Sequence, residues 1–383
     1  MPRSRGWARA LAQSRAAGRA FDRGDLDRCA AVLARQRAAA EGDPMAELVA
    51  LTGAALMGAL AGELRRARTD LAAAEQRLTA LGAAGLGPHW EQAALACDWM
   101  GGDWASAEER TARLEALPPV PPTLTLSLRV ELLRQAGRPD EADGAVRRLG
   151  TLPPSALTAW AVSGVDPEPS HALARLRAAV PAAWTNGHVG MLPLVLYRTA
   201  DHAFRAGDDA AVGAARAEFT RLNRADPLAR ILTGMTEALA SKNARPTHAA
   251  RELAAAEDLS PLVAECLTIQ GRLGDHPDRS YRAALAHWRS IGARPRATEL
   301  ATLTGEPPDT DQSAVRLAPR ERELVRLVRD GRTNREIAAA MHLSVKSVEA
   351  YLTRVYTKTG CASRVELALA AAQNRYPGPH PER

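Results

Sequence analysis

The chain has little aromatic content: Phe, Trp and Tyr make up 4% of its 383 residues. β-Branched runs are scarce too, which disfavours sheets and favours helices. Lysine is nearly absent. Only Lys242, Lys346 and Lys358 occur, and none stands in a Gly-x-x-x-x-Gly-Lys-Ser/Thr loop, so a phosphate loop of that type is excluded and ATP hydrolysis is not expected. The four cysteines, Cys29, Cys97, Cys266 and Cys361, have no short paired spacing. That excludes a disulfide framework and a zinc site and suits a reducing cytoplasm. The nine histidines show no metal spacing, and neither His-Glu-x-x-His nor Gly-x-Ser-x-Gly occurs. Catalytic residues, metal ligands and cofactor-binding residues are therefore none, and an enzyme is not expected. The uncharged stretch Leu48 to Gly62 is too short to span a bilayer and carries glycines, so it reads as a buried helix. The N-terminal arginines have no apolar segment behind them, so they do not form a secretory signal.

What charge there is sits unevenly. Residues 314–376 hold 12 Lys+Arg against 6 Asp+Glu, while the rest of the chain is balanced at 38 of each. A neutral body with one basic module points to a polyanionic partner at that module.

From residue 7 to about 303 the pattern is helix after helix, with apolar residues at three- and four-residue spacing, as at Leu64, Leu71, Leu78 and Leu81. Breaks fall at Pro118 to Pro122, at Pro153-Pro154 and at Asp166-Pro167-Glu168-Pro169. A short echo recurs at Gly24-Asp25, Gly102-Asp103, Gly137-Arg138 and Gly207-Asp208, each followed by a helix with an early alanine. The glycine can end one helix in the left-handed conformation, and the polar residue can cap the next. This resembles the turn inside tetratricopeptide-like repeats. The reading is a degenerate helical-repeat array, with an irregular helical bundle as the alternative. Such an array exposes a concave surface for a protein or peptide partner. The seven tryptophans are read as core or inter-helix packing rather than a groove lining.

Residues 304–315 are polar with two prolines and read as a linker, and residues 377–383 read as a disordered tail. Between them lie four helices. Pro319 opens the first, which stops at Gly331. Thr333 to Glu336 is a capping box opening the second, which runs to Met341. Ser344 caps the third, and Ser363 to Glu366 reads as a second capping box opening the fourth. The second and third helices are separated only by His342-Leu343, a helix-turn-helix. On the third helix Val345, Val348, Leu352, Val355 and Thr359 share one side, expected to pack on Leu324, Leu327, Ile337 and Met341. The opposite side carries Lys346, Ser347, Ala350, Thr353, Arg354 and Thr357, a basic, hydroxyl-bearing face with a small residue at its centre.

Leu317-Ala-Pro-Arg-Glu-Arg-Glu, Gly331-Arg-Thr-Asn-Arg-Glu-Ile-Ala, Leu343-Ser-Val-Lys-Ser-Val-Glu and Arg364-Val-Glu-Leu together resemble the LuxR-type DNA-binding domain. The fold class implied is all-α: a degenerate tetratricopeptide-like array, residues 1–303, then a four-helix LuxR-type helix-turn-helix domain, residues 316–376. The resemblance implies a transcriptional regulator that binds double-stranded DNA in the cytoplasm, associated with the nucleoid. Thr333, Asn334 and Arg335 would meet the phosphate backbone. Ser344 opens the recognition helix. Lys346, Ser347, Tyr351, Arg354 and Lys358 would contact phosphates, and Glu349, Ala350 and Thr353 would meet base edges. The last helix, Ser363 to Asn374, is similar to the family's dimerisation helix and implies a homodimer on a two-fold operator. Three positions depart from the family pattern: Ala318 replaces a Thr cap, Tyr351 stands where His or Asn is common, and Thr359 replaces an apolar core residue. The segment from Tyr281 to Pro295 resembles the last helical repeat of large ATP-binding LuxR regulators, so the chain resembles their C-terminal half without the NTPase.

Overall fold

The computed structural model describes residues 5–82, 87–116, 122–307, 317, 319–341 and 343–372. Among these residues every regular element is a helix. The chain divides into two compact units, Met1–Arg296 and Ala297–Arg383.

The first unit is a stack of helix pairs. They are α1 (Arg5–Asp22) with α2 (Leu26–Ala40), α3 (Pro44–Ala61) with α4 (Leu64–Leu81), α5 (Gly87–Gly101) with α6 (Trp104–Glu115), and α7 (Pro122–Gln135) with α8 (Pro139–Leu149). Then follow α9 (Ala156–Ser163) with α10 (Pro169–Asn186), α11 (Leu192–Ala206) with α12 (Asp209–Leu222), α13 (Pro227–Ser241) with α14 (Arg245–Ala256), and α15 (Ser260–Arg272) with α16 (Pro277–Ile291). A further helix, α17 (Arg294–Thr304), crosses the division between the units. Each first helix packs on its partner and on the first helices of the neighbouring pairs, which is the layering of a helical repeat.

The turn between paired helices explains the repeat. Gly24, Gly102, Gly137 and Gly207 all take the left-handed conformation, with φ of 75°, 87°, 70° and 74°. Asp25, Asp103 and Asp208 then accept from the backbone N–H three residues on. Five residues after each glycine a small or branched side chain is buried: Cys29, Ala107, Ala142 and Val212. A larger group there would separate the two helices. At the first turn this place falls to Cys29, and the alanine anticipated there, Ala30, is exposed. Left-handed helix ends also occur without glycine, at Lys242 within the α13–α14 pair and at Asn223 between the α11–α12 and α13–α14 pairs. Asn223 and Lys242 are left-handed at φ of 44° and 52° and end α12 and α13.

The array winds back on itself. α3 packs on α13 and α5 on α15. At one such crossing a Cβ placed on Gly62 would stand 2.7 Å from the Leu228 amide nitrogen. The Val189 and Gly190 N–H groups donate to the carbonyl of Asp22, at the end of α1, at 2.6 and 3.0 Å. Trp104 and Trp288 meet at 6.2 Å between ring centroids, and Trp99 meets Trp160 edge-on at 5.7 Å. Trp99, Trp104, Trp160 and Trp288 are thus packing residues, as anticipated.

Charged side chains tie the first helices together. Arg198 of α11 donates to Glu131 of α7 at 3.0 Å, and Arg272 of α15 donates to Asp201 of α11 at 2.9 Å. The Tyr197 hydroxyl donates to Glu265 at 2.6 Å. The arginines overcome burial and hold the Glu131 and Asp201 carboxyls well below the usual carboxylate range. All four cysteines are buried and unpaired, and burial pushes the Cys97 thiol up to about 12. The apolar stretch 48–61 lies in α3, which at 18 residues, contrary to the expectation from the stretch alone, has the length and composition to cross a bilayer; it packs on α1, α4 and α5.

Candidate nucleic-acid interface

The second unit holds α18 (Pro319–Arg329), α19 (Asn334–Ala340), α20 (Val345–Thr359) and α21 (Arg364–Ala372). Gly331, at φ 76°, ends the first of these, where the Arg332 N–H returns to the Leu327 carbonyl at 3.0 Å. The anticipated capping box is present. The Thr333 hydroxyl accepts from the Glu336 N–H at 3.3 Å, and the Glu336 carboxylate accepts from the Thr333 N–H at 2.7 Å. The backbone bond from Thr333 lowers the Glu336 pKa. Ser344 accepts from the Ser347 N–H at 3.0 Å and starts α20 three residues after Met341, the C-cap of α19.

These helices enclose one core, in which Val348, Leu352 and Val355 of α20 meet Leu324, Leu327, Val328, Ile337 and Leu367. Two expectations are corrected. Val345 is not a core residue. It is 41% exposed at the first position of α20, where the helix has not yet closed on its neighbours. Ser363 to Glu366 is not a reciprocal capping box. Ser363 accepts from the Glu366 N–H, but the Glu366 carboxylate accepts from the Ala362 N–H at 2.8 Å. Thr359, read as a weak core position, is fully buried and satisfied. Its hydroxyl donates to the Val355 carbonyl at 2.8 Å.

The anticipated site residues lie on two element starts and one helix face. Thr333 and Arg335 are exposed at the start of α19, and Asn334 beside them is half-buried, its side-chain oxygen accepting from Arg364 at 3.0 Å. Ser344 and Lys346 are exposed at the start of α20, with Ser347 half-buried. Glu349, Ala350, Thr353 and Arg354 are exposed along the helix. Tyr351 is half-buried, and the Arg354 guanidinium lies over its ring at 4.3 Å from the centroid. Lys358 differs from the rest: its ammonium donates to both carboxylate oxygens of Glu321, at 2.7 and 2.9 Å.

The electrostatics separate the cations of this unit into two groups. Arg326 pairs with Glu323, Arg329 with Asp330 and Arg332 with Glu336. Arg335 and Lys346 have no ion-pair partner among the described residues, and Arg354 touches only a ring. Among the described residues the uncommitted cations therefore lie at the opening of α19 and on the outward side of α20. The α19 opening adds free backbone N–H groups and the positive end of a helix dipole, although that helix is short. Such a surface can receive phosphates on either side of a groove.

Residues 315–371 match the family model described as bacterial regulatory proteins, luxR family. They form a luxR-family helix-turn-helix domain. Over 61 residues the chain is 46% identical to an HTH-type transcriptional regulator of Mycobacterium bovis, covering 16% of this chain and 7% of that protein. It is 45% identical over 67 residues to the response regulator Rre1 of Synechocystis, covering 17% and 29% respectively. It is 46% identical over 55 residues to the transcriptional regulatory protein ComA of Bacillus subtilis, covering 14% and 26%. The chain thus spans between 7% and 29% of the lengths of these relatives.

Two interactions of the luxR-family domain were not anticipated from sequence. One is the Glu321–Lys358 pair. The other is Arg364, which reaches back to Asn334 and to the Arg332 carbonyl and so locks the start of α21 to the start of α19. Both join residues at least 30 positions apart, which no local pattern signals. The Ala318 departure, His342, Asn374, most of the linker (308–315) and the tail (377–383) lie outside the described residues.

Proposed function

We propose that this protein is a sequence-specific DNA-binding transcriptional regulator, with residues 316–376 docking α20 in the major groove and residues 1–303 receiving a protein or ligand signal. The observation that carries this reading is the outward side of α20. Lys346 and Arg354 flank a small centre at Ala350 there, whereas Arg326, Arg329, Arg332 and Lys358 are each paired with an acid. On this reading Glu349, Ala350 and Thr353 meet base edges, while Thr333, Arg335, Lys346, Ser347 and Arg354 meet phosphates. Lys358 serves the fold rather than the DNA.

A homodimer on DNA through α21 belongs to the same proposal. Its support is the pair Val365 and Leu369, 69% and 53% exposed one turn apart on the side of α21 away from buried Leu367. A two-fold arrangement of α20 helices demands a nearly palindromic operator. The site of action is then the cytoplasm.

The test is selection of duplexes from a random pool by the full chain and by Lys346→Ala/Arg354→Ala. The expected result is a nearly palindromic site for the parent, and a salt slope smaller by about two in the variant. Equal, weak and unselective binding by both proteins would overturn the proposal.

A further inference from the structure

One joint of the helical stack is open. In the Met1–Arg296 unit the second helix of each pair packs on the first helix of the next, as α6 does on α7 and α10 on α11. Among the described residues α8 and α9 are the neighbours of this kind that pack least on each other. The connection between them, residues 150–155, carries Pro153-Pro154, which cannot continue either helix. At this joint lies a cavity of ≈ 350 Å³. Its walls are Leu152 from the connection, Val162 from α9 and the alanine side of α10, with Ala179 and Ala182. Arg175 and His188 line it as well.

Alanines on α10 are too short to fill the gap left by α8. No carboxylate lines the cavity, and Arg175 is about half exposed, held only by a 3.5 Å bond to Asp166. Small-ligand sites have this composition: a concave apolar wall of roughly 300–1,000 Å³ with a few polar groups that fix orientation. We propose that this cavity binds a small amphiphile, with an apolar body seated against α9 and α10 and an anionic head at Arg175. At ~30 Å³ per non-hydrogen atom, as in liquid water, the space admits about a dozen such atoms. A medium-chain carboxylate fits both the size and the charge. Occupancy would fill the layer between α8 and α9 and so stiffen the stack. The proposal rests on the regulator reading only for its consequence, a ligand signal. The binding itself is read without DNA, so either reading can fail while the other stands.

The experiment titrates the full chain calorimetrically with decanoate and with decan-1-ol, its uncharged counterpart. Ala182→Phe fills the cavity from an exposed position, and Arg175→Ala removes the head contact. The expected result is saturable binding of one equivalent of decanoate, weakened at least about tenfold by Ala182→Phe. Arg175→Ala should weaken decanoate about tenfold and leave decan-1-ol unchanged, the difference a charge-assisted hydrogen bond makes. If Phe lowers the melting temperature, Ala182→Val serves in its place and must also weaken binding. Absence of saturable binding, or full affinity in a normally melting Ala182 variant, would overturn the proposal. So would an equal loss of both ligands in Arg175→Ala.

Discussion

The ammonium of Lys358, near the end of the third helix of the luxR-family domain, spans both oxygens of the Glu321 carboxylate, whose side chain is only 5% exposed. This contact closes the first turn of α18 onto the last turn of α20. Removing the cation leaves a carboxylate in a site where it is poorly solvated, a cost larger than that of a surface pair. Lys358 is itself partly solvated, so the penalty is moderate. Lys358→Ala should lower stability by about 1–2 kcal/mol, measured by thermal unfolding. Adding Glu321→Gln should recover part of the loss. The salt slope of DNA binding should not move in Lys358→Ala. A smaller slope would return Lys358 to the phosphate contacts.

Thr359 illustrates a polar residue in a core without a polar cost. Its hydroxyl bonds the Val355 carbonyl one turn back, and its methyl shares the apolar interior. Valine keeps the shape and gives up, besides this bond, only a long one, the 3.4 Å bond that the hydroxyl accepts from the Cys361 N–H, so the loss is small. Thr359→Val should therefore change stability by less than about 1 kcal/mol, whereas Thr359→Ala should cost about 1–2 kcal/mol through the space it opens. Denaturant midpoints at constant m-value distinguish the two. A large loss for Val would mean that the hydroxyl, not the volume, holds the end of α20.

The pH dependence of the array has two opposed parts. Glu131 and Asp201 are held below their unfolded pKa by arginines, so they stabilise the fold above the usual carboxylate range. That contribution is lost as pH falls through it. Asp98 does the reverse. Burial pushes its carboxyl up to about 6 although Arg110 stands 2.6 Å away, because desolvation outweighs the attraction. Between pH ~4 and ~6 the unfolded chain releases this proton and the folded chain keeps it, so stability falls as pH rises. Asp98→Asn removes that dependence. Relative to the parent it should gain on the order of 1–2 kcal/mol between pH ~4 and ~6. Parallel urea titrations across this range provide the check, and a constant difference would show that Arg110 keeps Asp98 ionised throughout.

Much of this was legible in the sequence where local chemistry repeats. The four glycine turns, the Thr333–Glu336 box and the Ser344 cap are short-range devices, and residue type alone identifies them. The turns at Asn223 and Lys242 escaped because a side chain occupies a conformation that usually signals glycine. Val345 was misassigned because helical periodicity gives the direction of a side chain but not where the opposing wall ends. The Glu321–Lys358 pair, the Arg364 clasp and the open α8–α9 joint all depend on which distant segments meet. That information resides in the packing rather than in any window of sequence.

The return of the array on itself makes one glycine irreplaceable. Gly62 ends α3 at φ 83°, and a Cβ there would come within 2.7 Å of the Leu228 backbone nitrogen, at the start of α13. Gly42 has a similar φ of 80° but open space around it. Alanine at either position pays the left-handed penalty, about 1–2 kcal/mol. Only at position 62 must backbone also shift, and backbone yields less readily than a flexible side chain. Gly62→Ala should therefore be destabilising by at least about 1–2 kcal/mol more than Gly42→Ala, the cost of overpacking. Thermal unfolding of both variants measures the difference. Equal losses would mean that α3 and α13 can separate without cost, and the array would then be an open spiral in solution.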